Sequence, residues 1–307
     1  MDRRQGIVVR FHSNVVTVED SLTQERFLCN LRGRFKAQNL RPIIGDVVEY
    51  INFPDFTGRI ENIYPRRNEL ARPNIANIDQ VVLVSTIAYP AVSSYILDRF
   101  LVLAERNGLE VCMVFNKIDL LKPEEKSILN TYKYFYSQDY TFIPVSAKTG
   151  EGISDVIACL SGKTSTLAGM SGVGKSTILN AIDPTLKLKE GEISRQLELG
   201  KHTTTFSELL PIAEKGLVAD TPGFANLSLL QVQPGELRFC FPEFLRVASH
   251  CYYDDCLHDE EPDCMVRECA ENGEIMISRY DNYRTMLKEL LEAQRNAPPN
   301  YRRRKDG

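Results

Sequence analysis

Gly169, Met170, Ser171, Gly172, Val173, Gly174, Lys175 and Ser176 fit the pattern G-x-x-x-x-G-K-[ST], with Thr177 next. In that pattern bare backbone N–H groups wrap the α- and β-phosphates of a nucleotide. Lys175 would reach the β- and γ-phosphates, and the Ser176 hydroxyl would hold Mg²⁺. Asn116-Lys117-Ile118-Asp119 lies upstream and reads a base. Asp119 can accept from guanine N1–H and N2–H₂, a pair that adenine does not present. Asn116 can donate to the far edge of the base, and the Lys117 stem packs on the ring. Ser146-Ala147-Lys148 follows the next apolar run. There the Ala147 N–H would meet guanine O6, and Lys148 would cover the other face. Each motif is weak alone, but their company favours GTP over ATP.

Asp220-Thr221-Pro222-Gly223 follows an apolar run as well. Asp220 would bind Mg²⁺ through water, and the Gly223 N–H would sense the γ-phosphate. The segment Gly200 to Phe206 supplies Thr203, Thr204 and Thr205 for Mg²⁺ and a γ-phosphate-dependent switch. Spacing does not say which of them coordinates; Thr204 or Thr205 is expected, and Thr205 joins Lys175, Asp220 and Gly223 in the expected catalytic set. Phe224 stands where many GTPases place a glutamine that orients the attacking water. An aromatic ring cannot do so, and slow intrinsic hydrolysis is expected, with the missing group supplied elsewhere.

A different chemistry belongs to Cys251-x₄-Cys256-x-His258-x₅-Cys264. Three thiolates and one imidazole suit tetrahedral Zn²⁺, and a closed set of four leaves no open position, so the role should be structural. His250 and Cys269 are spare candidates. Five of the eight cysteines lie within residues 240–269, and a reducing compartment favours a metal over disulfides. Cys29, Cys112 and Cys159 sit singly in apolar stretches and read as buried thiols.

The elements that must position these residues show in the hydrophobic periodicity. At ordinary globular composition, 307 residues predict two or three domains. Residues 6–11, 15–18, 26–29, 46–51 and 58–63 read as short strands of a small barrel, best an OB-fold, with an SH3-like barrel left open. Residues 1–72 carry 12 Lys+Arg against 9 Asp+Glu, in a chain of net charge −4. Arg32, Arg34, Lys36, Arg41, Arg66, Arg67 and Arg72 make this module compatible with an RNA-facing surface. The polar stretch 66–77 reads as a linker. Beyond it, strands at 79–87, 109–115, 140–145 and 165–168 alternate with helices at 94–107, 126–137, 152–160 and 176–182. That alternation predicts a mainly parallel sheet covered on both faces. Residues 206–212 and 216–219 should form a hairpin, and 229–290 turn from irregular to helical. No run approaches about 18 apolar residues, and the start lacks an apolar signal core, so a cytoplasmic, membrane-free protein is expected.

Guanine motifs first, then phosphate loop, threonines and DTPG, is a circular permutation of the usual GTPase order. The second switch then leads into the C-terminal segment, and loss of γ-phosphate could move a whole domain. The set NKID, SAKTG, GMSGVGKST, GKHTTT and DTPGF, between a barrel-like module and a Cys/His cluster, resembles the RsgA family, circularly permuted GTPases of bacterial small ribosomal subunit biogenesis. The resemblance covers roughly residues 1–290. It implies a multidomain chain: an OB-fold barrel (1–68), an α/β permuted P-loop GTPase domain (69–228), a zinc-binding α-helical domain (229–295) and a basic tail (296–307). It further implies Mg²⁺-dependent hydrolysis of GTP to GDP stimulated by the small (30S) subunit, binding to 16S rRNA, a role late in maturation, and the same four zinc ligands. Relatives often carry a catalytic histidine just beyond DTPG. Residues 225–233 contain none, and Gln231 is the nearest polar substitute.

Four functions compete on these residues. The foremost is a monomeric GTP-hydrolysing assembly factor on the 30S subunit. A GTP-gated RNA-binding module with incidental hydrolysis would bind subunits without being stimulated by them. A metal chaperone would need exchangeable zinc, against the closed ligand set. An ATPase or kinase would not respond to Asp119→Asn by shifting its preference toward xanthosine triphosphate.

Overall fold

The computed structural model describes residues 3–12, 15–31, 33, 35, 41–71, 74–188, 208–220, 228–229 and 232–296. Strands β1 (Arg3–His12), β2 (Val15–Asp20), β3 (Arg26–Leu31), β4 (Val47–Asn52) and β5 (Thr57–Ile63) form a barrel. Its order is β1-β2-β3-β5-β4, closed by pairing of β4 with β1, and only β3 with β5 is parallel. This is the order of an OB-fold, which settles the alternative left open by periodicity. Alternation turns Val8, Val16, Val18, Phe27, Cys29, Val48, Tyr50 and Ile60 inward. The Tyr50 hydroxyl ties across to Asp20 at 2.6 Å.

The expected linker is instead folded. Strands β6 (Glu69–Ala71) and β7 (Asn74–Ala76) pair antiparallel, and Ile75 is fully buried. Arg66 donates to Asp46 at 2.7 Å and to Glu69 at 2.6 Å, while Arg67 donates to Asp79 at 2.7 Å. The polarity of this stretch is thus largely pairing within the fold: Arg66 is tied to the buried Asp46, while Arg67 keeps an exposed side chain paired to Asp79. Arg32, Arg34, Lys36 and Arg72 lie outside the described residues.

Then come β8 (Gln80–Thr86), α1 (Ser94–Arg106), β9 (Glu110–Asn116), α2 (Pro123–Tyr136), β10 (Thr141–Pro144), α3 (Ile153–Leu160), β11 (Thr164–Ala168), α4 (Lys175–Ile182), β12 (Glu208–Ile212) and β13 (Gly216–Asp220). Their order in the sheet is β10-β9-β8-β11-β13-β12, parallel except for β12. β11, which precedes the phosphate loop, lies between β8 and β13 although β9 and β10 come before it in the chain. That is the permuted arrangement, with the described loops after β9, β10 and β11 on the carboxyl edge of one sheet. β12 also meets β1 at Glu208 and Arg10, so barrel and α/β domain share a continuous sheet.

The C-terminal part holds the short helices α5 (Pro234–Leu237) and α6 (Pro242–Leu245), then α7 (Met265–Glu271) and α8 (Ile277–Asn296). They enclose Phe241, Phe244, Tyr283, Met286 and Leu287. α8 packs on α1 through a buried charge network: Arg279 binds Asp98 at 2.7 Å and also Glu243. Among the described residues no helix is long and apolar enough to cross a membrane.

Candidate nucleotide site and metal centre

The phosphate loop leaves β11 with Gly169 at φ 130°, and a Cβ there would lie 2.1 Å from the Val84 carbonyl. Only glycine fits such a position. Gly174, at φ 97°, caps the N-terminus of α4; a Cβ would strike Asn116 Nδ2 at 2.3 Å. Lys175 and Ser176 are buried at the start of α4, while Met170 and Ser171 are exposed on the loop and Thr177 is half-buried. The Lys175 ammonium donates to the Gly169 and Met170 carbonyls at 2.8 Å each. Burial pushes its pKa down to about 8. A buried ammonium with only carbonyl partners, beside a helix N-terminus, fits a phosphate.

Asn116 joins three loops. Its Nδ2 donates to the Val173 carbonyl at 2.9 Å, and its Oδ1 accepts from the Lys117 N–H at 2.8 Å and the Ala147 N–H at 3.1 Å. Asn116 therefore locks the guanine loops onto the phosphate loop, and the Ala147 N–H expected at guanine O6 points at Asn116 here. Lys117, left-handed at φ 64°, spans to the Gly172 carbonyl at 2.7 Å and the Tyr89 carbonyl at 2.9 Å. Asp119 is exposed at the rim. The Ser146 hydroxyl, fixed by the Thr149 N–H at 3.2 Å, donates to Asp119 Oδ1 at 2.8 Å and aims the carboxylate. Lys148 is exposed on the same edge. Periodicity and motif reading gave no sign of the Ser146–Asp119 bond or of Tyr89.

Asp220 ends β13 at this edge, and its side chain is not described. Thr203, Thr204, Thr205, Gly223, Phe224 and Gln231 lie outside the described residues, as does the tail 297–307.

Cys251, Cys256, His258 and Cys264 converge, with one ligand atom from each within 4.8 Å of the others. His258 Nδ1 lies 3.6 Å from Cys251 Sγ and 3.5 Å from Cys264 Sγ. Zn–S bonds of about 2.3 Å and Zn–N bonds of about 2.0–2.1 Å at a tetrahedral angle make an N···S edge of roughly 3.6 Å. The donor set therefore fits Zn²⁺ through Nδ1. Burial pulls His258 down to about 4, keeping the imidazole neutral, and pushes the Cys256 thiol up to about 12, so only a cation would draw off that proton. Glu261 lies in the same loop as the four ligands. Its carboxylate accepts from the Leu257 and Asp259 N–H groups at 2.7 and 2.9 Å and frames His258. His250 and Cys269 stay outside the set; Cys269 lies 3.6 Å from Glu274.

Comparison with known proteins agrees with this architecture. A family model described as RsgA GTPase matches residues 63–230. The chain is 53% identical over 291 residues to the small ribosomal subunit biogenesis GTPase RsgA of Thermotoga petrophila, covering 94% of this chain and 97% of that one. To the Carboxydothermus hydrogenoformans protein of the same name it is 41% identical over 294 residues, 95% and 100% of the two chains. The crystal structure of YjeQ from Thermotoga maritima superposes with a TM-score of 0.86 at 49% identity, covering 94% and 99% of the two chains. YloQ, described as a circularly permuted GTPase, gives 0.82 at 33% identity, with 95% and 96% covered. Sequence, motif order and sheet topology agree: the chain belongs to the RsgA GTPase family.

Proposed function

We propose that this GTPase docks on the small (30S) ribosomal subunit in its GTP form, is stimulated there, assists a late step of subunit maturation and leaves after hydrolysis to GDP and phosphate. The observation that carries the nucleotide half of this reading is Asn116, which holds base loops and phosphate loop in one frame. In it, Asp119 aimed by Ser146 reads the guanine edge, and Lys117 and Lys148 flank the ring. The N–H groups from Gly169 to Thr177 cradle the phosphates, and Lys175 turns from its carbonyl partners to the β- and γ-oxygens. Ser176, Thr205 and, through water, Asp220 would hold Mg²⁺, which supplies charge neutralisation between the β- and γ-phosphates. The Gly223 N–H would report the γ-phosphate.

The names of the relatives support the ribosomal half, and so does the OB-fold barrel as a platform for 16S rRNA. Cys251, Cys256, His258 and Cys264 would hold one structural Zn²⁺ that staples the C-terminal part. A monomeric, cytoplasmic protein completes the reading.

The test is steady-state GTP hydrolysis with and without purified 30S or 50S subunits, beside Lys175→Ala. Stimulation by 30S alone, lost in the variant, is the expected result. Tight 30S binding without stimulation would replace the reading with a GTP-gated RNA-binding module. No interaction with 30S would end the ribosomal half of it.

A further inference from the structure

β8 leaves the sheet between the two halves of the nucleotide site. It lies between β9, which carries the base motif, and β11, which carries the phosphate loop. Its last residue, Thr86, is the register partner of Asn116, and its Leu83 is that of Ala168, the residue before Gly169. The segment Ile87 to Ser93 therefore starts at the carboxyl edge between the guanine motif and the phosphate loop. In a bound nucleotide, the group between base and phosphates is the ribose.

No sequence motif marks this segment, yet its backbone is fastened on both sides. The Pro90 carbonyl accepts from the Thr86 hydroxyl at 2.5 Å, and the Val92 N–H donates to the Thr86 carbonyl at 3.1 Å. Ser93 then caps α1, its hydroxyl accepting from the Ile96 N–H at 3.4 Å. The Pro90 ring faces the phosphate loop: a Cβ built on Gly172 would lie 3.8 Å from it. Lys117 closes the arrangement, donating to the Gly172 carbonyl at 2.7 Å and the Tyr89 carbonyl at 2.9 Å. The lysine stem that would pack along the base thus ends at the Tyr89 backbone. Tyr89 itself is 80% exposed, the most exposed tyrosine or phenylalanine among the described residues. Its backbone is held while its ring is left to solvent at the mouth of the site.

We propose that Tyr89 is a nucleotide-binding residue whose ring closes over the ribose of bound GDP or GTP. The proposal rests on the nucleotide site described above and adds the segment after β8 to its walls. Closure turns only the two side-chain torsions of tyrosine, so a large contact area is gained at low conformational cost. The carbonyl of residue 89 keeps its bond to Lys117 throughout, which holds the ring beside the lysine stem. An aromatic face against the sugar also shields that side of the nucleotide from water.

The chain contains no tryptophan, so Tyr89→Trp places a single indole at this position. The full-length, zinc-loaded variant is titrated with GDP while indole emission and its quenching by acrylamide are followed. GDP should change the emission and shield the indole, and ATP at the same concentration should do neither. Calorimetry supplies the affinities of the tyrosine variants. Tyr89→Ala should bind GDP about three- to tenfold more weakly than the parent, less than the loss of a full base stack, and Tyr89→Phe should stay within about twofold. Every variant retains the backbone carbonyl that Lys117 uses, so a merely structural side chain predicts no shielding. An indole equally open to acrylamide with and without GDP, or a Tyr89→Ala affinity within about twofold of the parent, would overturn the proposal and leave the nucleotide site standing. Failure of the parent itself to bind GDP would overturn the site, and this proposal with it.

Discussion

Asn116→Ala tests the claim that one side chain holds the nucleotide site together. The truncation removes three hydrogen bonds, at 2.8, 2.9 and 3.1 Å, from a residue that is 4% exposed. It strands the buried Val173 carbonyl outright and leaves the partly buried Ala147 and Lys117 N–H groups to find water. A buried group left without its partner costs about 1–3 kcal/mol, and partly buried ones fall at or below the low end, so the sum is about 2–5 kcal/mol. At about 1.4 kcal/mol per tenfold, that is a loss of roughly 30-fold to several thousand-fold in GDP affinity if the whole cost falls on binding. Any part already felt without nucleotide appears as lower stability instead. The assay is therefore paired: titration with a fluorescent GDP analogue, and urea unfolding of the nucleotide-free protein. Asn116→Asp is the sharper control. It keeps the acceptor for both N–H groups but sets a carboxylate oxygen against the Val173 carbonyl, and should be at least as damaging. An Asn116→Ala protein with GDP affinity within about threefold of the parent and an unchanged unfolding midpoint would refute the reasoning.

Lys175 gives the site a pH signature. Burial has lowered its pKa to about 8, and phosphate oxygens would raise it again, so binding takes up a proton above about 8. GDP affinity should be flat below that pH and fall above it, a slope that Lys175→Met lacks. The free protein has the opposite trend, because the unfolded lysine binds its proton to higher pH and stability rises between about 8 and the unfolded value. Stripping the metal with a chelator should abolish hydrogen-exchange protection of residues 251–264 while leaving GDP binding intact; simultaneous loss of both would mean that the cluster supports the nucleotide site directly. Arg279→Met would leave Asp98 and Glu243 buried without their cation and should cost about 3–5 kcal/mol in chemical unfolding. A cost below about 1 kcal/mol would show that the pair is solvated in solution.

The motifs were legible because each rests on backbone geometry that few residue types allow. Gly169 and Gly174 leave no room for a Cβ, and β8, buried along its whole length, carries the apolar run Val81–Val84. The barrel was legible from alternation, but its strand order was not, since pairing of β3 with β5 leaves no local trace. Residues 66–77 misled for a physical reason. Arg66, Arg67 and Glu69 look like linker charges until Asp46 and Asp79, distant in sequence, fold against them. The same limit hid Ser146 behind Asp119 and Glu261 behind His258, where a polar group serves another polar group across a turn.

Motif order alone suggested that loss of the γ-phosphate would move the C-terminal domain, because the chain runs there from Gly223. The contacts argue for the barrel instead. Arg279 ties α8 to Asp98 on α1, and the Tyr136 hydroxyl on α2 donates to that carboxylate at 2.8 Å. Freeing α8 from these helices means parting a buried ion pair, about 3–5 kcal/mol if one charge is left uncompensated. The barrel is held through the core that Val9 and Ile44 share with Ile75 and Leu209, and through β12, the strand that directly follows the threonine segment. Its Glu208 pairs with Arg26 at 3.0 Å and Arg10 at 3.7 Å, partly exposed contacts worth about 0–1 kcal/mol each. β12 thus runs directly from the threonine segment to β1, whereas α8 is fastened to α1 and α2 by the buried ion pair. Distance labels on the barrel and on α2 should change between GDP and a non-hydrolysable GTP analogue, while labels on α8 and α2 stay fixed. The reverse pattern would restore the C-terminal domain as the moving part and make the Arg279 network the contact that switches.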